Sequence, residues 1–273
     1  MVINETLTDL TPQAAKLHAA VIKKIARSKI TTLNENIDNK LKVDIHVISA
    51  VLSSFESRLR ECEIIYYTYL RDADHAVLSG SSVGLPLMRN VQLTYGSNVL
   101  NKDIEINDRI FYREIIDAQF RHFILAMASE YEVIVKLVEI LIRKVIVHSP
   151  GKRPLSAPLD HYISCLKSLV DLRYRKQDSI YQCVISHETF LNKYLPTISK
   201  LRNSYMHGFS INLASDSVSY KVSTFSDPFT ASSHELEIDY FSKTIMEESR
   251  HFFIDILNAL DISIKYHSKF IPA

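Results

Sequence analysis

Asn107 to His148 reads NDRIFYREIIDAQFRHFILAMASEYEVIVKLVEILIRKVIVH. Apolar side chains recur along it at helical spacing: Ile110, Phe111, Ile115, Phe120, Ile124, Met127, Tyr131, Ile134, Leu137, Val138, Leu141 and Val145. That period belongs to one long amphipathic helix. Asn107 or Asp108 supplies its cap, and HSPGKRP from His148 stops it. A segment of this length makes the helix the spine of the fold.

The same periodicity extends outward in both directions. Residues 11–40 open on Thr11-Pro12, a cap followed by a proline where a helix tolerates one, and carry Leu17, Val21, Ile22 and Ile25 on one face. Residues 41–78 repeat Ile45, Ile48, Leu52, Phe55, Leu59 and Cys62 at three and four. Residues 79–104 break the pattern with Gly80, Gly84, Gly96 and Pro86, and read as a long loop inserted in the domain, with room for a short strand or helical turn. Beyond the spine, helices are predicted over 158–176, which ends in the basic run Arg173, Arg175 and Lys176, and over 178–195. Pro196 interrupts, so a short segment, TISKLRNSYMHG, restarts there. FSINLASDSVSYKVSTF then alternates polar and apolar residues about SDS, a hairpin signature. A last helix spans 233–268, with Leu236, Ile238, Phe241, Ile245, Phe252, Phe253, Ile256, Leu257 and Leu260 as its stripe. The expected class is all-α: a bundle of about six or seven helices with one small β-hairpin after the motif helix. The whole chain, 1–273, reads as one helical domain, with helices and loop in 1–106 and the bundle in 107–273.

Composition agrees. Hydrophobic residues are 47% of the 273 and charged residues 23%, ordinary for a globular chain that buries its own core. Five glycines are few for an all-β protein, which needs many tight turns. The formal charge of +1, from 32 basic and 31 acidic residues, excludes binding to nucleic acid by bulk charge alone and leaves room for a local basic patch. Cys62, Cys165 and Cys183 have no paired spacing and read as reduced core thiols of a cytoplasmic protein. MVINETLTDL has no apolar run and does not read as a signal peptide, and no window suits a membrane span.

The search for chemistry excludes most classes. HExxH is absent, because His187-Glu188 lacks the second histidine, and the remaining histidines are scattered, so no metal or other cofactor is expected. There is no GxSxG elbow and no SxxK. GSSVG lacks the Lys-Ser/Thr pair and the preceding strand of a phosphate loop. Glu132–Lys136 and Glu139–Arg143 are i,i+4 pairs that helix-surface pairing explains.

One stretch remains: KLRNSYMHGF, Lys200 to Phe209. A bare Arg-x4-His is weak, since Arg143 to His148 repeats the spacing. Arg202 differs in being followed by Asn203, with His207 and Gly208 closing the segment at a helix end. This Leu-Arg-Asn-x-x-x-His-Gly in a helical bundle resembles the HEPN superfamily. The resemblance covers the motif and the helices over about 107–268, and leaves residues 1–106 unexplained. It implies an all-α, dimeric protein, often a metal-independent endoribonuclease that serves as a toxin or in phage defence, with an antitoxin or defence partner. Phe209 stands where one branch of that family has a tyrosine targeted by a nucleotidyltransferase antitoxin.

The residue types suit RNA cleavage by 2′-hydroxyl attack. Histidine titrates near neutrality and serves as acid or base, so His207 takes that role. Arginine gives a permanently charged, bidentate fork for the phosphorane oxygens, so Arg202 takes that one, and Asn203 positions. Lys200, Arg173, Arg175 and Lys176 are the candidate RNA contacts. Two other readings stay open. The motif is also what a helix C-terminus with a glycine cap looks like, and the same surface would serve a non-catalytic module binding RNA, nucleotide or a protein partner.

Overall fold

The computed structural model describes residues 2–27, 45–71, 87–106, 109–142, 159–169, 178–206, 213–215, 220–227 and 230–267. Among them are seven α-helices: α1 (Thr11–Arg27), α2 (Ile45–Ile65), α3 (Arg109–Ile140), α4 (Tyr162–Leu169), α5 (Ser179–Ser186), α6 (Glu188–Met206) and α7 (Ile238–His267). The protein is helical, as the periodicity predicts, and most of the described stripe residues are buried; Ile22, expected on the apolar face of α1, is 42% exposed instead, and Ile115 is half-buried. Ile48, Leu52, Phe55, Leu59 and Cys62 of α2 are buried, as are Phe120, Ile124, Met127, Tyr131, Ile134, Leu137 and Val138 of α3. In α7 the buried stripe includes Phe241, Ile245, Phe252, Phe253, Ile256, Leu257 and Leu260. No helix among the described residues is long and apolar enough to cross a membrane.

The expected hairpin is present and larger than predicted. Strand β4 (Leu213–Ser215) pairs antiparallel with β5 (Tyr220–Asp227) in the register Leu213↔Val222, Ala214↔Lys221, Ser215↔Tyr220. A third strand, β6 (Thr230–Glu237), adds to β5 and runs directly into α7. The last helix therefore starts at Ile238 rather than 233: residues 233–237 belong to the edge strand of the sheet, whose ladder to β5 satisfies the backbone groups on that side.

A second sheet was not expected. The segment read as a loop over 79–104 contains β2 (Leu87–Tyr95) and β3 (Asn98–Ile106), an antiparallel hairpin closed by Gly96 and Ser97. Gly96 has φ 56°, the left-handed conformation that two-residue hairpin turns require and that glycine adopts without a steric cost. Val91 and Leu93 are buried, while Gln92 bonds its cross-strand partner Asn101 at 2.9 Å. Strand β1 (Val2–Thr6) joins β2 in parallel.

Three further corrections concern the helices. Pro196 does not restart a helix; it lies inside α6. An interior proline costs about 3 kcal/mol. Leu191, Leu195, Ile198 and Leu201 of the same helix are all buried, and at about 1.5–3 kcal/mol each they outweigh it. The break comes earlier, at His187, whose φ and ψ of −101° and 5° leave the helical basin. Helix α2 ends in a five-residue π-helical segment, Tyr66–Leu70, before the chain turns extended at Arg71. Glu139 of α3 is buried rather than on a solvated face.

The chain forms two compact units, each drawn from three stretches: Met1–Asp9, Arg58–Ala128 and Thr197–Glu248 in one, and Leu10–Ser57, Ser129–Pro196 and Ser249–Ala273 in the other. Both 1–106 and 107–273 contribute to each. The second unit is built on aromatics. Tyr131 stands 5.3 Å from Tyr162 at nearly a right angle, 5.1 Å from Phe253 and 6.0 Å from Phe252, and Phe55 meets Phe253 at 4.9 Å. The first unit holds both sheets, the π-helical segment and the last turns of α6.

Candidate active site

The motif rides on α6, and the start of that helix is well defined. Asp178 caps α5, its carboxylate accepting from the backbone N–H groups of Ile180 at 2.8 Å and Tyr181 at 3.3 Å. After the break at His187, Glu188 opens α6 and pairs with Lys167 at 2.9 Å. His187 itself meets Asp255 through Nε2 at 2.9 Å and packs against the Phe252 ring.

Along α6 a buried stripe runs through Leu191, Leu195, Ile198, Leu201 and Tyr205, at steps of four, three, three and four, with Phe190 and Ser199 buried beside it. That stripe fixes the rotation of the helix and sends the motif's polar residues the other way. Lys200 and Asn203 are exposed neighbours at i,i+3, and Arg202 is partly exposed. Met206, the last described residue of α6, is 67% exposed. The Ser204 hydroxyl donates to the Lys200 carbonyl at 3.0 Å, one turn back, which occupies a carbonyl near the helix end. Lysine and arginine at that end also meet the negative pole of the helix dipole.

Of the expected site residues, Arg202, Asn203 and Lys200 are thus brought together on one helix end. His207 and Gly208 lie outside the described residues, as do Phe209, Arg173, Arg175, Lys176 and the second Arg-x4-His pair, Arg143 and His148.

The fold brings in a second arginine, which sequence reasoning missed. Arg121 of α3 pairs with Asp117 one turn before it, Nη2 to Oδ2 at 3.0 Å. Its guanidinium carbon lies 5.0 Å from the centre of the Tyr205 ring, within reach of a cation–π contact. Tyr205 is 8% exposed, and its hydroxyl is buried without a hydrogen-bond partner among the described residues. The second oxygen of Asp117, Oδ1, is buried in the same condition. Burial, helped by the Asp117 charge and opposed by Arg121, raises the Tyr205 phenol above its ordinary value, so it stays protonated. The only local hint was the Asp117–Arg121 spacing, which is common on helices and points to no site.

Other titratable clusters have plain structural roles. Tyr66 of the π-helical segment donates to Asp239, in the first turn of α7, at 3.1 Å. Burial and that carboxylate push the phenol up. His122 pairs with Glu61 at 3.1 Å. Cys183 is buried and its thiol is pushed up to about 12 by burial and the Asp255 charge, which leaves it a small hydrophobe with no thiolate near neutrality. Among the described residues no group of three or more His, Cys, Asp or Glu is arranged to hold a metal ion.

The chain matches no family model, no curated protein and no solved structure at a significant level.

Proposed function

We propose that the protein is a metal-independent endoribonuclease of the HEPN type, working as a homodimer in toxin or phage-defence biology. The observation that carries the reading is the rotation of α6. Its buried stripe turns Leu201 and Tyr205 inward and leaves Lys200 and Asn203 exposed and Arg202 partly exposed at the helix end, where a ligand can reach them.

In the proposed reaction His207 removes the proton of an RNA 2′-hydroxyl, and that oxygen attacks the adjacent phosphorus. A new P–O2′ bond forms, the P–O5′ bond breaks, the leaving 5′-oxygen takes up a proton from water, and the protonated His207 returns its proton to solvent. The products are a 2′,3′-cyclic phosphate and a 5′-hydroxyl. Arg202 holds the phosphorane oxygens through its fork of N–H donors, and Asn203 orients the phosphate or the imidazole.

The test is cleavage of tRNA, mRNA and rRNA in EDTA by wild type, His207→Ala and Arg202→Ala. The reading expects cyclic-phosphate products from wild type and a loss of at least about a hundredfold in each variant, with unchanged circular dichroism. Binding without cleavage by wild type would support the non-catalytic module in its place.

A further inference from the structure

We infer that Arg121 is a phosphate-binding residue of the motif surface, contacting the RNA backbone beside the position held by Arg202; this rests on the ribonuclease reading above. Arg121 and Arg202 come from different helices, α3 and α6, and meet through Tyr205. Tyr205 follows Arg202 by three residues, so the two are neighbours on α6. Arg121 lies over the ring of that tyrosine. A guanidinium has five N–H donors, and the hydrogen bond to Asp117 uses one of them. The side chain is 45% exposed, so it keeps donors toward solvent while two contacts hold it in place.

Those contacts matter for binding. A free surface arginine loses rotamer entropy when it grips an anion. Arg121 is already positioned by the carboxylate below it in α3 and by the aromatic ring of α6. A planar fork fixed against a ring suits the bidentate geometry of a phosphodiester. Asp117 offsets part of the Arg121 charge, but its bond occupies one donor and leaves the solvent-facing N–H groups available to an anion. Lys200, exposed near the same end of α6, adds a further cation to this helix end in a chain whose overall charge is +1.

The experiment uses the full chain carrying His207→Ala, which keeps RNA intact, and a fluorescein-labelled single-stranded oligoribonucleotide read by anisotropy from low to moderate salt. Arg121→Ala on that background should weaken binding and lower the slope of log K against log salt by about 0.7, the value for one lost phosphate contact to a single strand. Arg121→Lys should keep the slope and recover part of the affinity. Tyr205→Phe, which keeps the ring, should bind like its parent, and Tyr205→Leu should behave like Arg121→Ala. If Arg121→Ala also lowers the melting temperature, Arg121→Gln repeats the charge loss with most of the side chain retained. An unchanged slope and affinity in the alanine and glutamine variants, with wild type still cleaving RNA, overturns the inference and leaves the ribonuclease reading standing. RNA neither bound by the His207→Ala protein nor cleaved by wild type overturns both.

Discussion

Two buried tyrosines, one in each unit, have opposite surroundings. Tyr131 sits in the aromatic cluster of the second unit, fully buried, and its hydroxyl shares a 2.5 Å hydrogen bond with Ser249. Tyr205 sits at the motif end of α6 in the first unit, under the Arg121 guanidinium, with a buried hydroxyl that no described residue bonds. The first arrangement is what a core does with a polar group it must bury: it pairs it. The second buries a hydroxyl with no hydrogen-bond partner among the described residues and holds a cation near its ring. The contrast predicts a hydroxyl that stabilises the second unit and one that adds nothing to the first.

The largest effect should come from removing the Tyr131 ring. Tyr131→Ala should cost about 3–5 kcal/mol in denaturant unfolding, the range for large aromatic truncation in a core. Cleavage per folded molecule should be kept. A smaller cost would mean that the cluster does not carry the second unit.

Next comes a pH effect from Cys183 in that same unit. Its folded-state pKa is raised, from 9.0 to about 12. A raised value contributes stability that is complete below the unfolded pKa and is lost as pH climbs toward the folded one. Between pH 9 and 12 the unfolded chain therefore gives up a proton that the folded chain keeps. Wild type should lose stability over that window more steeply than Cys183→Ala, by at most about 1.4 kcal/mol per pH unit. Parallel profiles for the two proteins would show that the thiol does not sense burial.

The smallest and sharpest test pairs two deletions of one oxygen. Tyr131→Phe strands the Ser249 hydroxyl and should cost about 1–3 kcal/mol. Tyr205→Phe removes an oxygen that bonds nothing described, and should fall within about 0.5 kcal/mol of wild type or stabilise it. Equal costs in the same denaturation assay would break the comparison.

Much of the helical core could be read directly. The stripes of α2, α3 and α7 follow from spacing, because residues three and four apart share a helix face whatever the rest of the chain does. The hairpin of β4 and β5 was legible for the same local reason, an alternating pattern around SDS. The hairpin of β2 and β3 left signals too: Val91 and Leu93 alternate with Asn90, Gln92 and Thr94, and Gly96-Ser97 is a two-residue turn. The glycines and the proline upstream drew the whole stretch into a loop. Pro196 misled because a local rule met a helix whose buried leucines and isoleucine outweigh one lost hydrogen bond.

The sequence by itself determined the helical class, the faces those helices bury, and the candidacy of Arg202, Asn203 and Lys200, whose exposure follows from the stripe on α6. Only the tertiary structure decided that β1 pairs in parallel with β2, that Glu139 is buried, and that Arg121 stands over Tyr205. The division has a physical cause. Helical periodicity is written in neighbours a turn apart, while the parallel strand pair joins residues 88 positions apart and the cation over the ring residues 84 apart, and no local pattern encodes which distant partner the packing will select.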